Sequence, residues 1–175
     1  MPLFLGVCGI GGCGEKPHPD EAAEGEVAID VSLPAYGDVR FVSVGDFDNR
    51  PRVVFFVRDR QGNTLYKFPE FPANREYAYD QTSSVKFEDL NDDGLKDVVI
   101  IARYVTGIGP SGAEPFDIAG FYLQREDGFE AAIELAELLN GDKYYGKWHD
   151  VEDLIKMAAS LKRDGTAGRA KQASP

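Results

Sequence analysis

The sequence predicts an α+β fold, an antiparallel β-meander of hairpins with one or two C-terminal helices packed on the sheet. Two observations carry this. Short apolar or alternating runs separated by turn residues extend from position 27 to about 130, which is typical of antiparallel strands. After position 131 the apolar residues recur at helical spacing instead. We expect one domain over residues 26–163, between a signal-like segment with a tether (1–25) and a disordered tail (164–175).

The first half of the chain contains four predicted strands. Val27 to Leu33 alternates apolar and polar residues, as a half-buried strand does, and ends at Pro34. The run Val53 to Val57 is apolar throughout, which indicates a central strand covered on both faces. Between and after these runs we expect strands at 39–44 and 64–68, the latter following a hairpin turn at 59–63.

From Pro69 to Thr82 the strand pattern breaks, and aromatic residues alternate with prolines. This composition suits an extended surface loop. Its aromatic side chains could dock a peptide or a sugar, but we expect them to pack the loop onto the sheet.

The second half contains strands predicted at 85–88, 98–105 and 120–124, with a further strand starting at Phe129. A long loop, Thr106 to Ile118, precedes the third of them. Two helices follow: an Ala-, Glu- and Leu-rich segment at 131–139 that ends at Asn140-Gly141, and a helix that Asp150 can cap. Its apolar residues from Val151 onward share one face, which indicates packing on the sheet.

The charge balance limits the partners. The chain has a formal net charge of −11, and phosphate binding needs a basic face, so we expect no nucleic-acid partner. The two cysteines, Cys8 and Cys13, provide no disulfide framework and lack the spacing of a zinc site.

The N-terminal segment holds a short apolar run, too short to span a membrane, followed by Ile10-Gly11-Gly12-Cys13. This tetrapeptide resembles the lipobox of bacterial lipoproteins, which implies lipidation of Cys13 and an extracytoplasmic, membrane-anchored protein. The sequence departs from a secretory signal in having no Lys or Arg before Cys13. Either the true start lies upstream, or the Gly/Cys cluster belongs to an ordinary N-terminus.

The most specific pattern lies between two predicted strands. Oxygen-bearing side chains stand at Asp89, Asn91, Asp93 and Asp97, and Gly94 allows a sharp turn between them. Alternate residues of such a loop point inward, so the spacing predicts a site for one hard cation. The alternative is a plain Asp-Gly hairpin turn with acidic neighbours.

The strands on either side distinguish this loop from two helical relatives. An EF-hand needs a Glu at its twelfth position, where this chain has Ile100, and both the EF-hand and the dockerin loop continue into a helix. The pattern Asp-x-Asn-x-Asp-Gly-x-x-Asp between strands resembles the FG-GAP/VCBS repeat, known from propeller blades. That resemblance implies propeller-blade-like hairpins and Ca²⁺ held by the four side chains and the Leu95 carbonyl.

A second, degenerate copy of the repeat lies upstream. It retains Asp46 and Asp48 but has Arg50 at the third ligand position. We expect this copy to be metal-free, with the Arg50 guanidinium in the place of the cation, paired with one of the two aspartates. Two copies are too few for a closed propeller, so we expect one curved sheet closed on one side by the helices.

Catalytic motifs are absent from the sequence. Gly107 to Gly112 matches the dinucleotide fingerprint, but no helix is predicted after it to hold a pyrophosphate. His149 stands beside Asp150 and is interpreted as a residue of the helix cap.

These observations predict a non-enzymatic, extracytoplasmic protein with a structural Ca²⁺ ion. The alternative is a surface protein-binding or inhibitor module that contacts a protein or a surface glycan through Thr106–Ile118 and the Phe68–Tyr79 loop. A carbohydrate-active accessory protein is the least favoured possibility. Contact with a membrane is expected only through a lipid anchor.

Overall fold

The computed structural model describes residues 27–47, 51–106 and 114–163. Within these ranges the chain forms eight strands, a short 3₁₀ turn at Pro72–Arg75 and two α-helices, which confirms the α+β class. The strands are β1 Ala28–Leu33, β2 Gly37–Asp46, β3 Arg52–Arg58, β4 Thr64–Lys67, β5 Ala78–Glu88, β6 Asp97–Val105, β7 Phe116–Arg125 and β8 Gly128–Ala131. The helices are α1 Ile133–Asn140 and α2 Val151–Arg163.

The strands form two antiparallel meanders rather than one curved sheet, so the expectation of a single sheet is wrong. The first sheet has the order β1-β2-β3-β4 and the second has the order β5-β6-β7-β8. The chain crosses from one sheet to the other between β4 and β5, through the 3₁₀ turn. Each meander has an apolar face, and both faces are buried when the two sheets pack against each other.

The core between the sheets is rich in aromatic rings. Phe41 and Phe55 stack at a centroid distance of 5.5 Å, and Phe55 meets Tyr122 of the opposite sheet at 6.5 Å. Phe68, which follows β4, lies 5.2 Å from the Tyr122 ring and 4.6 Å from the Phe129 ring. These contacts join both sheets into one hydrophobic cluster.

The loop after β4 packs inward, as expected, and its aromatic residues are core residues. Phe68, Phe71 and Tyr79 are at most 3% exposed. In the 3₁₀ turn, the buried Asn74 side chain accepts from Val53 N–H (3.0 Å), donates to the Val53 carbonyl (2.7 Å) and accepts from the Tyr104 hydroxyl (2.9 Å). An amide side chain thus pairs with β3 much as a neighbouring strand would.

Strand β5 begins at Ala78, not at Val85, so the predicted loop is shorter than expected. The pairing of β5 with β6 shifts register between Tyr79 and Gln81 and again between Thr82 and Ser84. Each irregularity interrupts the alternation of buried and exposed residues, and this is why the sequence pattern concealed the strand. Strand β7 likewise begins at Phe116, earlier than the predicted Gly120.

Both helices pack on the outer face of the second sheet, which confirms their predicted role. Leu139, Leu154 and Leu161 are buried against Val99, Phe121 and their neighbours. Asp150 caps α2 by accepting from the Asp153 N–H at 2.8 Å. The layers are therefore sheet, sheet and helices. Neither helix is long and apolar enough to cross a membrane.

Candidate metal centre

The predicted cation loop connects β5 to β6 at the end of the second sheet. It starts at Asp89, directly after β5, and its last candidate ligand, Asp97, is the first residue of β6. Asp92 has a φ of 61° and Gly94 a φ of 83°, so the turn uses the left-handed region twice. Glycine adopts this conformation without strain, and aspartate is among the few other residues that tolerate it.

Asp89 is fixed by backbone groups of its own turn. Its carboxylate accepts from Gly94 N–H at 2.8 Å and from Asp93 N–H at 3.2 Å. The Gly94 N–H is the largest of the effects that lower the pKa of Asp89, because each donor stabilises the ionised form. Asp89 is therefore an anion held towards the inside of the turn.

Asn91 and Asp93 are joined within the same turn. The Asn91 side chain donates to Asp93 Oδ2 at 2.8 Å, and its own oxygen accepts from Asp93 N–H at 3.0 Å. Asp93 Oδ1 also accepts from Leu95 N–H at 2.8 Å. Each of these oxygens keeps lone-pair capacity after one hydrogen bond, since a carboxylate offers about four acceptor sites.

Asp97 differs from the other three residues in being completely buried, with 0% exposure. Its two oxygens accept from the backbone N–H groups of Leu90 (2.9 Å) and Gln124 (2.8 Å). Burial raises the pKa of Asp97, and the negative charges of Asp93 and Asp89 raise it further, against the lowering effect of the two N–H donors.

The basic side chains near the loop reach its outer residues. Lys162 of α2 pairs with Asp92, which is not a candidate ligand. Arg125 lies 3.9 Å from Asp93 and bonds Glu130 more closely, at 2.8 Å. Within the described ranges, no lysine or arginine forms an ion pair with Asp97. The most deeply buried carboxylate therefore has only neutral partners.

The candidate ligands are near one another in sequence but are not assembled into a cage. Among the residues that the structure describes, no three His, Cys, Asp or Glu side chains lie in an arrangement that could hold a metal ion. The loop is instead organised by hydrogen bonds from its own N–H groups to its carboxylates. The donor atoms are of the hard oxygen type that Ca²⁺ prefers, so the chemistry of the residues fits this ion.

The segment predicted to be a degenerate copy connects β2 to β3 in the first sheet. Asp48 and Arg50 lie outside the described residues, so the pairing predicted for Arg50 stays a prediction. Asp46 accepts from Arg52, with Nε at 2.8 Å and Nη2 at 2.7 Å. The two segments have different positions in their sheets, because β2–β3 is the central hairpin of the first sheet and β5–β6 is the first hairpin of the second.

Two of the other predicted sites, His149 and the Phe68–Tyr79 loop, lie within the described residues. His149 is exposed beside the N-terminus of α2. Its backbone N–H donates to an Asp153 carboxylate oxygen at 3.3 Å, so its predicted place in the cap of this helix is confirmed. Cys13 and the Gly107–Gly112 motif lie outside the described residues. The Phe68–Tyr79 loop cannot present Phe68, Phe71 or Tyr79 to a partner, because all three are buried.

The sequence did not indicate Gln124, which the structure places beneath the loop. This glutamine is 0% exposed, and its Oε1 accepts from Lys96 N–H at 3.1 Å. Its Nε2 is buried without a hydrogen-bond partner. A polar residue at the end of a strand gives no local signal of such a role.

Comparisons with protein-family models, with curated proteins and with solved structures find no match to this chain.

Proposed function

We propose that the protein is a non-enzymatic module stabilised by one Ca²⁺ ion in the loop between β5 and β6. The residues proposed to hold the ion are the side chains of Asp89, Asn91, Asp93 and Asp97 and the carbonyl of Leu95. The spacing of these residues and the strands on both sides are those of the FG-GAP/VCBS repeat, to which we propose that the loop belongs.

The observation that carries the proposal is the environment of Asp97. A buried carboxylate is costly unless a cation or several donors offset its charge. Burial raises the pKa of Asp97, and the negative charges of Asp93 and Asp89 raise it further. Its two hydrogen-bond donors, which oppose this shift, are neutral N–H groups. A divalent cation between these three carboxylates would remove their mutual repulsion and lower the pKa of Asp97.

The donor set favours Ca²⁺ over the other common divalent ions. Ca²⁺ accepts six to eight oxygen ligands in flexible geometry, including amide and backbone carbonyl oxygens. Mg²⁺ requires near-octahedral geometry and retains several waters, whereas Zn²⁺ selects nitrogen and sulfur. A turn that supplies three carboxylates, one amide and one carbonyl matches the first of these preferences.

A structural role follows from the position of the loop. Asp97 has no exposed surface, so an ion bound to it has one side closed to any substrate. The loop also connects the helices to the sheet. Leu90 packs against the hydrophobic cluster between the helices and the second sheet, and Asp97 is the first residue of β6. An ion here would hold the β5–β6 hairpin and its connection to the helices.

We also propose that the protein works outside the cytoplasm, anchored through a lipid on Cys13. Extracellular calcium modules have dissociation constants of about 10⁻⁴–10⁻³ M, which suffices where free Ca²⁺ is in the millimolar range. The lipobox-like sequence before Cys13 supports the anchor. Mass spectrometry of the protein from a bacterial envelope tests this, since an unmodified Cys13 thiol would contradict it.

Thermal unfolding in Ca²⁺ and in chelator tests the proposed function. With about 10 mM Ca²⁺ and the dissociation constants above, ligand linkage gives about 1.4–2.7 kcal/mol of stabilisation. For a chain of this size that corresponds to a rise of about 3–11 °C in Tm. Mg²⁺ at the same concentration should give a much smaller rise. Equal Tm values in Ca²⁺ and in chelator would refute the proposal.

A further inference from the structure

Gln124 contacts the cation loop twice from the neighbouring strand β7. Its backbone N–H donates to Asp97 Oδ1 at 2.8 Å, and its side-chain Oε1 accepts from Lys96 N–H at 3.1 Å. The side chain is 0% exposed, so surrounding atoms hold it in one position. One buried residue thus fixes the segment in which the loop turns into β6.

The bond to Lys96 N–H determines the direction of a carbonyl. The peptide unit between Leu95 and Lys96 is planar, and in a trans peptide the C=O and N–H groups point in opposite directions. With the Lys96 N–H held against Gln124, the Leu95 carbonyl is directed to the opposite side. That carbonyl is the one backbone ligand of the proposed site.

The unpaired nitrogen of Gln124 shows that its amide is not explained by packing. Nε2 is buried without a hydrogen-bond partner, and burying such a group has a cost in stability. A methionine has nearly the same length and would fill this space without that cost. The amide oxygen is the only part of the side chain with a described polar contact, and this contact is to the loop.

We propose that Gln124 is a positioning residue that orients two calcium ligands, the Leu95 carbonyl through its side chain and the Asp97 carboxylate through its backbone. This inference rests on the proposed function. Residues that orient metal ligands typically change metal affinity by about 10–100-fold when they are replaced. Gln124 should therefore govern how tightly the loop binds Ca²⁺ and contribute little to the stability of the ion-free fold.

The test uses Gln124→Met in the full chain, with Gln81→Met as the matched control. Gln81 is exposed on β5, so the same chemical change there leaves the loop untouched. Titration calorimetry with CaCl₂ should give a Kd about 10–100-fold higher for Gln124→Met than for the wild type. Gln81→Met should keep the wild-type Kd. In chelator, the Tm of Gln124→Met should stay close to that of the wild type, because the substitution removes both the unpaired Nε2 and the hydrogen bond to the Lys96 N–H, whose effects on stability oppose each other.

The outcomes separate the two proposals. If the wild type binds Ca²⁺ and Gln124→Met binds it with the same Kd, the role of Gln124 is overturned and the proposed function stands. If the wild type binds no Ca²⁺, both fail. If Gln124→Met and a second variant, Gln124→Leu, both fail to fold in chelator, the amide is a structural requirement and the positioning role is overturned.

Discussion

Replacing Asp97 with asparagine separates the two contributions of this residue, its buried charge and its two accepted hydrogen bonds. Asparagine has the same shape but can accept from only one of the Leu90 and Gln124 N–H groups. The other N–H then faces an NH₂ group, at a cost of about 1–3 kcal/mol. Removal of the charge opposes this loss, because burial and the neighbouring carboxylates disfavour the ionised form.

The change in Tm that Ca²⁺ causes in this variant is the decisive measurement. A neutral amide cannot supply the charge that offsets dehydration of the ion, so Asp97→Asn should lose the calcium-dependent rise of about 3–11 °C in Tm. Asp142→Asn, the same change at an exposed position, should keep the full rise. Differential scanning calorimetry of the wild type and both variants, each in Ca²⁺ and in chelator, measures this.

The pH dependence of stability is an independent test of the buried charge of Asp97. The folded-state pKa of Asp97 lies above its unfolded value of about 3.9, so its contribution to stability is present below that value and is lost as the pH rises through the folded-state pKa. In chelator the wild type should therefore gain stability relative to Asp97→Asn when the pH is lowered from 7 to 4. In Ca²⁺ the sign reverses, because the ion binds the ionised carboxylate. A Tm rise retained in Asp97→Asn, or parallel pH profiles in chelator, would refute this reasoning.

Two further predictions concern the fold and the degenerate copy. Asn74→Ala removes three buried hydrogen bonds, which join Asn74 to the Val53 N–H, the Val53 carbonyl and the Tyr104 hydroxyl. The free energy of unfolding, measured in urea, should fall by about 3 kcal/mol or more. A fall of less than about 1 kcal/mol would contradict this assignment. Asp46→Asn breaks an exposed ion pair with Arg52, so it should cost about 0–1 kcal/mol and leave the calcium content unchanged. Calcium lost by this variant would mean that the first hairpin also binds an ion.

Much of the fold was predictable because burial imposes a period on each strand. The alternation in β1 and the apolar runs in β3 and β6 correspond to strands in the structure. Strand β6 is buried on both faces, but β3 alternates between buried and half-buried residues, so its predicted cover on both faces is wrong: the helices pack on the second sheet. The division into two sheets was not predictable from the same pattern. Alternation indicates which residues are buried but not which surface covers them, and an inward face can pack on a second sheet as well as on a helix.

The candidate site was likewise predictable only in part. The sequence placed Asp89 to Asp97 in a turn between strands, since ligand spacing is a local property. The partners of that turn come from distant positions: Gln124 from β7, and Lys162 from α2. Nothing within a few residues of either position marks the contact, because strand pairing and helix packing create it. The burial of Asp97 likewise depends on the helices and sheet assembled around it.

The calcium content of the purified protein is the most direct test of the central claim. Equilibrium dialysis against about 10 mM CaCl₂, a concentration above the expected dissociation constants, with enough KCl to suppress uptake driven by the protein's net charge, should give one excess ion per wild-type chain by atomic emission and none for Asp97→Asn. A value of zero for the wild type would contradict a calcium site in the β5–β6 loop. A value of two would contradict the prediction that the β2–β3 hairpin is metal-free.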